Sequence, residues 1–402
     1  MRNNPSLKNL SDCISLFNGF AFKSNDRTED GVLWVKIGNV SYGKISESNQ
    51  EFLPRSFLKD YEKYVLHEND IVVALTRPIT NGKLKIAKVN GKFNNSLLNQ
   101  RVARVDVKNN FCLGYIYQLL RSDKVLKDMS YNLLGTDPPN LANNTLENIK
   151  VFVPLFEEQQ KIAKILSTWD DAIEKLEKLI EAKKLRKKGL MQQLLTGKKR
   201  FDGFDGEVEL KKIGKFSKSF SGGTPNRSKK EYYKDGTIPW MKSGEVNQRY
   251  IREIEEKITK EALKHSSAKI VKKDTVVVAL YGATAGKVGI TEIETATNQA
   301  VLAIFPDETV DYKFLFHSLE FIIPHYIGYA QGGQANLSGE IIREISLRVP
   351  VLLEQKKISG LCEMIDLDLM KLDKKKRVLI KQKKGLMQQL LTGKKRVKID
   401  NE

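Results

Sequence analysis

Cysteine and histidine are scarce in this chain. Three cysteines (Cys13, Cys112, Cys362) are spread over 402 residues. Their odd number and wide spacing argue against a disulfide framework and against a zinc site, and fit a reducing compartment. His67, His265, His317 and His325 form no ligand-spaced cluster, so no metal site is expected. Long apolar runs are missing too. None approaches the ~20 residues that a membrane-spanning helix needs. The opening Met1-Arg2-Asn3-Asn4-Pro5 lacks the apolar core of a signal peptide. A cytoplasmic protein is therefore expected. Acidic residues are in deficit, 49 against 68 Lys and Arg, for a formal net charge of +19. Such a surplus points to a polyanionic partner, nucleic acid ahead of an anionic membrane surface. The 41% hydrophobic content still suffices for real cores, and the length for two to three domains.

What the chain does have is an internal repeat. Lys187 through Arg200 (Lys-Lys-Gly-Leu-Met-Gln-Gln-Leu-Leu-Thr-Gly-Lys-Lys-Arg) returns unchanged as Lys383 through Arg396, 196 positions later. Upstream the same register holds more loosely. Pro154 to Gln159 answers Pro350 to Gln355, and Asn140-Leu141 answers Asn336-Leu337. The period is too long for a solenoid. The chain reads as two homologous halves, each ending in one helical signal.

Those signals carry a narrow apolar stripe. Ile162, Leu166, Trp169, Ile173, Leu176, Ile180, Leu190 and Leu194 mark the first. Ile358, Cys362, Ile365, Leu369, Leu372, Leu379, Leu386 and Leu390 mark the second. A 3.5-residue period of this kind predicts a coiled-coil seam. Its polar gaps are Lys183 and Lys187 in one copy, Lys376 and Lys383 in the other. Glu157, Glu158 and Glu354 at the openings and lysines at the ends suit the helix dipole. Gly197 and Gly393 stand where a glycine stops a helix. Gly189 and Gly385 are costly inside one, and mark either close approach of another backbone or fraying. Each stripe is the other's natural partner. Residues 201–349 must lead from the end of one helix to the start of the next. Helices of this length span roughly 60 Å, so an antiparallel pair is expected, acting as a rigid spacer.

Residues 1–153 and 201–349 differ in sequence but follow one plan. Gly31 to Lys36 parallels Gly236 to Lys242, with Trp34 and Trp240 in step. Asn69 to Leu75 parallels Lys273 to Leu280. A glycine-bearing loop follows in each, Thr76 to Lys83 and Tyr281 to Lys287. Asn99-Gln100 matches Asn298-Gln299, and aromatic helical stretches come next (Tyr115, Tyr117, Leu120; Phe314, Phe316, Leu319). β-Branched runs bounded by Gly, Asn and Asp read as short strands. The expected class is α+β: two homologous strand-rich domains of mixed α/β type, separated by a long antiparallel two-helix coiled coil, with pseudo-two-fold symmetry. The limits are 1–153, 154–200, 201–349 and 350–402. A shared scaffold with unlike polar loops suits two readers of two ligands.

Two stretches look catalytic and are read otherwise. Thr136-Asp137-Pro138-Pro139-Asn140 is similar to the loop of adenine methyltransferases but lacks the aromatic that stacks on a flipped base. Gly282 to Val288 looks like a phosphate-cradling loop, but is one residue short and has Val288 where Ser or Thr must hold magnesium.

The helical openings (Pro154, Glu158, Gln159, Ile162; Pro350, Glu354, Gln355, Ile358) and closings (Gly189 to Gly197; Gly385 to Gly393) resemble those of type I restriction–modification specificity subunits. Gly222-Gly223-Thr224-Pro225 and Gly282 to Gly289 resemble that family's target-recognition domains. The first domain departs from the pattern, with Asn18 to Lys23 and Thr76-Arg77-Pro78 instead. The resemblance implies a non-catalytic, DNA-associated protein of a bacterium or archaeon, without cofactors of its own. S-adenosylmethionine, ATP and Mg would sit on its partners. Those would be two methyltransferase subunits and, where present, two restriction/translocase subunits, all meeting on double-stranded DNA.

Each domain is then expected to read one half of an asymmetric bipartite site, with the helix pair setting the gap. Arg and Lys suit guanine, Asn and Gln adenine. The candidate readers are Arg77, Asn81 and Lys83 in the first domain and Tyr281, Thr284 and Lys287 in the second. Lys23, Asn226, Arg227 and Lys242 stand behind them as phosphate contacts. Trp169, Gln192, Leu194, Gln388 and Leu390 are the candidate spacer and partner-docking positions. Two other classes remain open: an autonomous DNA methyltransferase or nuclease, and a coiled-coil interaction protein that binds no DNA.

Overall fold

The computed structural model describes residues 5–133, 138–147, 149–327 and 337–399. The chain divides into two units, residues 1–177 with 374–402, and residues 178–373. Each long helix is divided near its middle, and each unit holds a strand-rich domain, the opening of one helix and the closing of the other.

In the first unit a four-stranded antiparallel sheet runs in the order Ile14–Asn18, Val102–Val107, Ile71–Ala74, Ile86–Lys88. A second sheet runs Phe52–Leu53, Val32–Val35, Ser96–Leu98, Val65–Leu66, and its central pair is parallel. Ile71–Ala74 is buried throughout, so it reads as an unbroken β-branched run rather than an alternating one. The second unit repeats the plan. Ser217–Ser221, Val301–Pro306, Val276–Ala279 and Val288–Thr291 form one sheet, to which Tyr250–Ile251 adds a fifth, parallel strand. Lys257–Ile258, Ile238–Met241, Thr295–Thr297 and Lys269–Val271 form the other. The aromatic stretches are helical, at Leu113–Leu120 and Tyr312–Ile327. Their Tyr115, Leu120, Phe314, Phe316 and Leu319 are buried against the sheets.

The two long helices are Phe156–Leu195, here α1, and Leu352–Leu390, here α2. A glutamine fixes each start. Gln159 Nε2 donates to Pro154 O at 3.0 Å, and Gln355 Nε2 to Pro350 O at 2.8 Å. A left-handed glycine ends each, Gly197 at φ 70° and Gly393 at φ 74°. The amides of Gly197 and Lys199 return to Leu194 O and Gln193 O, and those of Gly393 and Lys395 to Leu390 O and Gln389 O. These bonds satisfy carbonyls that the last turn leaves over.

Inside each unit a helix opening lies antiparallel to a helix closing, and the expected polar gaps are ion pairs. In the first unit Lys383 Nζ meets Asp170 at 2.6 Å, and Arg396 meets buried Glu158 at 2.5 Å. In the second, Lys187 Nζ meets Asp366 at 2.6 Å and Arg200 meets buried Glu354 at 2.6 Å. Every member of one set maps onto the other by the 196-residue shift of the repeat. The glutamates at the helix openings therefore do more than complement a dipole: they receive the arginine of the other helix. Around the lysines the sets differ. Arg121 and Gln118 complete the site at Asp170, whereas Arg249 bridges Asp366 and Glu320 in the second unit.

The stripe drifts from its expected line. Met191 is buried while Leu190 is only half-buried, and Ile173, Ile365, Leu369, Leu372 and Leu379 are half-buried too. A straight helix turns every 3.6 residues, so a 3.5-residue pattern slides off one face. Gly189 and Gly385 meet nothing: a Cβ built on either has no neighbour within 4 Å. The helices run unbroken through both, so neither close approach nor fraying explains them. Among the described residues no helix is long and apolar enough to cross a membrane. Cys13 and Cys362 are buried, which pushes both thiols up to about 11.

Three outcomes follow. Asp366→Asn leaves Lys187 and Arg249 short of a counter-charge and should cost about 3 kcal/mol in chemical denaturation. Gly189→Ala, set in open space, should stabilise by up to about 1 kcal/mol in the same assay. Burial would raise the Glu320 carboxyl, but the His317 ring 3.5 Å away and the paired bonds from Arg249 outweigh it and hold the group down to about 2. A depressed carboxylate contributes stability above its ordinary value of 4.5, which is lost as the pH falls from there towards 2. Acid titration followed by tryptophan fluorescence should show this loss, and Glu320→Gln should flatten it.

Candidate nucleic-acid interface

The first candidate loop is a tight hairpin. Ile79–Thr80 pairs with Lys83–Leu84. Asn81 and Gly82 form its tip at φ 52° and 68°, the backbone a two-residue type I′ turn demands. Lys83 is exposed, its Nζ 5.8 Å from the centre of the Tyr42 ring. Tyr42 Oη in turn donates to Thr80 O at 3.1 Å, so the stretch after Val32–Val35 supports the hairpin. Arg77 is exposed at φ 46°, and its amide donates to Pro139 O at 2.8 Å. The Pro138–Leu141 stretch, part of the methyltransferase-like motif, thus anchors Arg77. Thr136 and Asp137 lie outside the described residues. The Leu141 amide closes on Leu75 O, and that of Leu337 on Leu280 O, each at 2.8 Å. This explains the second Asn-Leu pair of the repeat, whose Asn336 lies outside the described residues.

The corresponding loop of the second unit is built differently. Gly286 sits at φ 78°, and a Cβ there would come within 2.0 Å of Ile327. The loop is pressed against the Tyr312–Ile327 helix. Its amides are used internally, Ala285 to Gly282 O, Gly286 to Ala279 O and Lys287 to Thr284 O. They are not turned outward as a phosphate cradle requires. Tyr281 and Lys287 are exposed. Thr284 is only 9% exposed, so the loop offers little of its side chain to a ligand.

The second-tier cations divide as well. Lys23 is exposed, and so is Asn226, whose Oδ1 accepts from the Ser228 amide at 3.0 Å and hydroxyl at 2.8 Å. Arg227 and Lys242 come together on one carboxylate, that of Glu256. Arg227 holds it with both amino groups, and Lys242 Nζ reaches it at 2.8 Å. Both charges are partly exposed and share this one counter-charge. Burial would raise the Glu256 carboxyl, but Arg227 and Lys242 outweigh it and lower it. The Arg227 guanidinium also lies 4.5 Å from the Tyr233 ring centre and 4.9 Å from that of Trp240. The first unit has a related cluster, in which the lysine rather than the arginine lies over the tryptophan. Glu51 meets Arg27 Nε at 2.7 Å and Lys36 Nζ at 2.5 Å, and Lys36 lies 4.9 Å from the Trp34 ring centre.

Sequence reasoning matched Trp34 with Trp240 but missed Glu51 and Glu256. The signal was a glutamate shortly after each Trp-x-Lys, where strand pairing turns the chain back. It matched Gln100 with Gln299 without naming either as a candidate reader. Both are exposed, and Gln299 Oε1 accepts from Thr224 Oγ1 at 2.6 Å.

On the long helices Gln192 and Gln388 are exposed and Trp169 is half-buried. Leu194 and Leu390, named as spacer positions, are buried in a domain core, where each fastens a helix closing to the sheet layer. Among the described residues no group of three or more metal-ligating side chains occurs.

A family model described as type I restriction modification DNA specificity domain matches the chain twice, over residues 6–184 and 205–382. The chain is 38% identical over 192 residues to the MjaVIII specificity subunit of Methanocaldococcus jannaschii, covering 48% of this chain and 45% of that one. It is 29% identical over 412 residues to the putative MjaX specificity subunit of the same organism, covering 98% and 94%. With the EcoR124I/EcoR124II specificity subunit of Escherichia coli it shares 25% over 214 residues, 52% of each. It thus spans about half the length of the first and third of these relatives. A crystal structure of a type I S subunit from M. genitalium shares the fold, with a TM-score of 0.60 at 16% identity over 96% of each chain. With two matched domains, each followed by the opening of a long helix, the chain belongs to the type I restriction–modification DNA specificity family.

Proposed function

We propose that this chain is the DNA-reading subunit of a type I restriction–modification complex. Each strand-rich domain reads one half of a split duplex site, and the long helices set the spacing. What carries this reading is a duplicated scaffold that presents unlike polar loops: the Asn-Gly hairpin in one unit, the tucked glycine loop in the other. Unlike readers imply unlike half-sites, hence an asymmetric target. Half-sites about one helical turn apart, ~34 Å, would let both domains enter the major groove from one side. The surplus charge of +19 supplies the phosphate attraction.

Arg77, Asn81 and Lys83 read the first half and Tyr281 and Lys287 the second. Lys23 and Asn226 flank them. Methyl transfer to adenine belongs to two methyltransferase subunits, which carry S-adenosylmethionine. ATP and Mg belong to restriction/translocase subunits where these join. The exposed glutamines Gln192 and Gln388 lie in identical segments and give the methyltransferase subunits two like docking surfaces.

Co-expression with those methyltransferase subunits, followed by mapping of methylated adenines, should yield an interrupted, asymmetric motif. One uninterrupted motif would overturn the reading. Arg77→Ala should relax one position of one half-site at a cost of about 1–3 kcal/mol. Equal weakening on every duplex would instead make Arg77 a phosphate contact.

A further inference from the structure

The Arg–Glu–Lys cluster occurs twice, in domains whose sequences otherwise diverge. Its backbone frame is the same in both. The Trp34 amide donates to Glu51 O, and the Trp240 amide to Glu256 O, each at 2.9 Å. Each glutamate is thus fixed through its own backbone to the tryptophan strand. Its carboxylate then faces a lysine two residues beyond that tryptophan, Lys36 or Lys242, and an arginine from the loop after the first sheet strand, Arg27 or Arg227. That loop also carries Lys23 in one unit and Asn226 in the other. The arginines remain 46% and 53% exposed in their side chains, the glutamates only 25% and 24%. A purely internal tie would bury both partners. Here the anion is sheltered and the guanidinium faces out.

Both arginines keep donors in hand. Arg27 Nε lies 2.7 Å from Glu51 Oε2 as an ion pair, without hydrogen-bond geometry, and its two terminal amino groups are left over. Arg227 engages through both amino groups, each of which has a second N–H. An unrestrained arginine loses much rotamer freedom when it meets a base, and it binds any phosphate along the way. One held at a set angle by a carboxylate loses less. Half its charge is already answered, so it favours the planar pair of guanine acceptors over a passing phosphate.

Building on the DNA-reading function proposed above, we propose that Glu51 and Glu256 are positioning residues for sequence discrimination. Each aims one arginine, Arg27 or Arg227, at a base edge of its own half-site and suppresses that arginine's attraction to unspecific DNA. Loss of the carboxylate should therefore weaken discrimination while strengthening unspecific binding.

The test uses the chain co-purified with its methyltransferase subunits. Its probes are a duplex carrying the mapped methylation site and one with both half-sites scrambled. In Glu256→Gln the ratio of the two affinities should fall about tenfold. Binding to the scrambled duplex should tighten, and its dependence of log affinity on log salt should steepen by about one. The methylation motif should relax in one half only, and Glu51→Gln should relax the other. Glu256→Asp, which keeps the charge, should restore part of the ratio, and Arg227→Lys should relax the same half as Glu256→Gln. An unchanged ratio in both Gln variants overturns the inference. So does a proportional loss on both duplexes with a lower unfolding midpoint, the mark of a structural tie. In either case the mapped motif of the unaltered complex still tests the split-site reading. If that complex does not discriminate between the two duplexes, the DNA-reading function itself falls.

Discussion

The structure depends on two lysine–aspartate contacts, each with one buried and one half-buried partner, Lys383 with Asp170 and Lys187 with Asp366. Each places a charged group in the middle of an apolar seam. Such a pair adds little net stability, because desolvation consumes most of its attraction. Its effect is on register. Sliding one helix along the other by a heptad would leave the buried partner of each pair, Lys383 or Asp366, without its counter-charge, at a cost of about 3 kcal/mol. A seam of leucines and isoleucines alone would tolerate that slip. The arginine–glutamate contacts at the helix ends, Arg396 with Glu158 and Arg200 with Glu354, add a second fixed point to each unit. Two points define a register and a direction.

This accounts for much of the identity between the two fourteen-residue segments. Lysine, leucine, glycine and arginine do the same work in each copy. Lys187 and Lys383 meet aspartates, Leu194 and Leu390 enter the cores, Gly197 and Gly393 end the helices, and Arg200 and Arg396 reach glutamates. A substitution at any of them would disturb one unit alone. Gln192 and Gln388 stand apart from this, since they are exposed and need no partner within the unit.

The helices were legible because their rules are local. A period, a proline at the front and a glycine at the back fix position and extent. The strands around Ile71–Ala74 and Val276–Ala279 were legible for a related reason, as β-branched runs are short and bounded. The composition of the units was not, because it joins residues about two hundred positions apart in the chain. Nor was the burial of Thr284. This residue belongs to a loop whose Gly286 lies against Ile327, a contact no motif encodes. The drift from Leu190 to Met191 comes from the mismatch between a heptad pattern and a helix of 3.6 residues per turn. Glu51 and Glu256 were hidden for another reason. Alone, each is one surface acid among 49 acidic residues. Only strand pairing, which sets each opposite a tryptophan, shows that they are the same residue twice.

The charge balance links the helices to the loops. Many of the carboxylates are spent inside the units, at Asp170, Glu158, Glu354 and Asp366 in the seams and at Glu51 and Glu256 beside the tryptophans. The cations left over face solvent. A surface so charged draws DNA of any sequence, and unspecific affinity of that kind works against a reader that must leave wrong sites quickly. Discrimination then rests on what the remaining acids do. At the seams they fix the scaffold; beside Trp34 and Trp240 they hold cations that would otherwise add to the general attraction. The same residue type therefore serves register in one place and selectivity in the other. In both, a carboxylate is held by backbone geometry before any partner arrives.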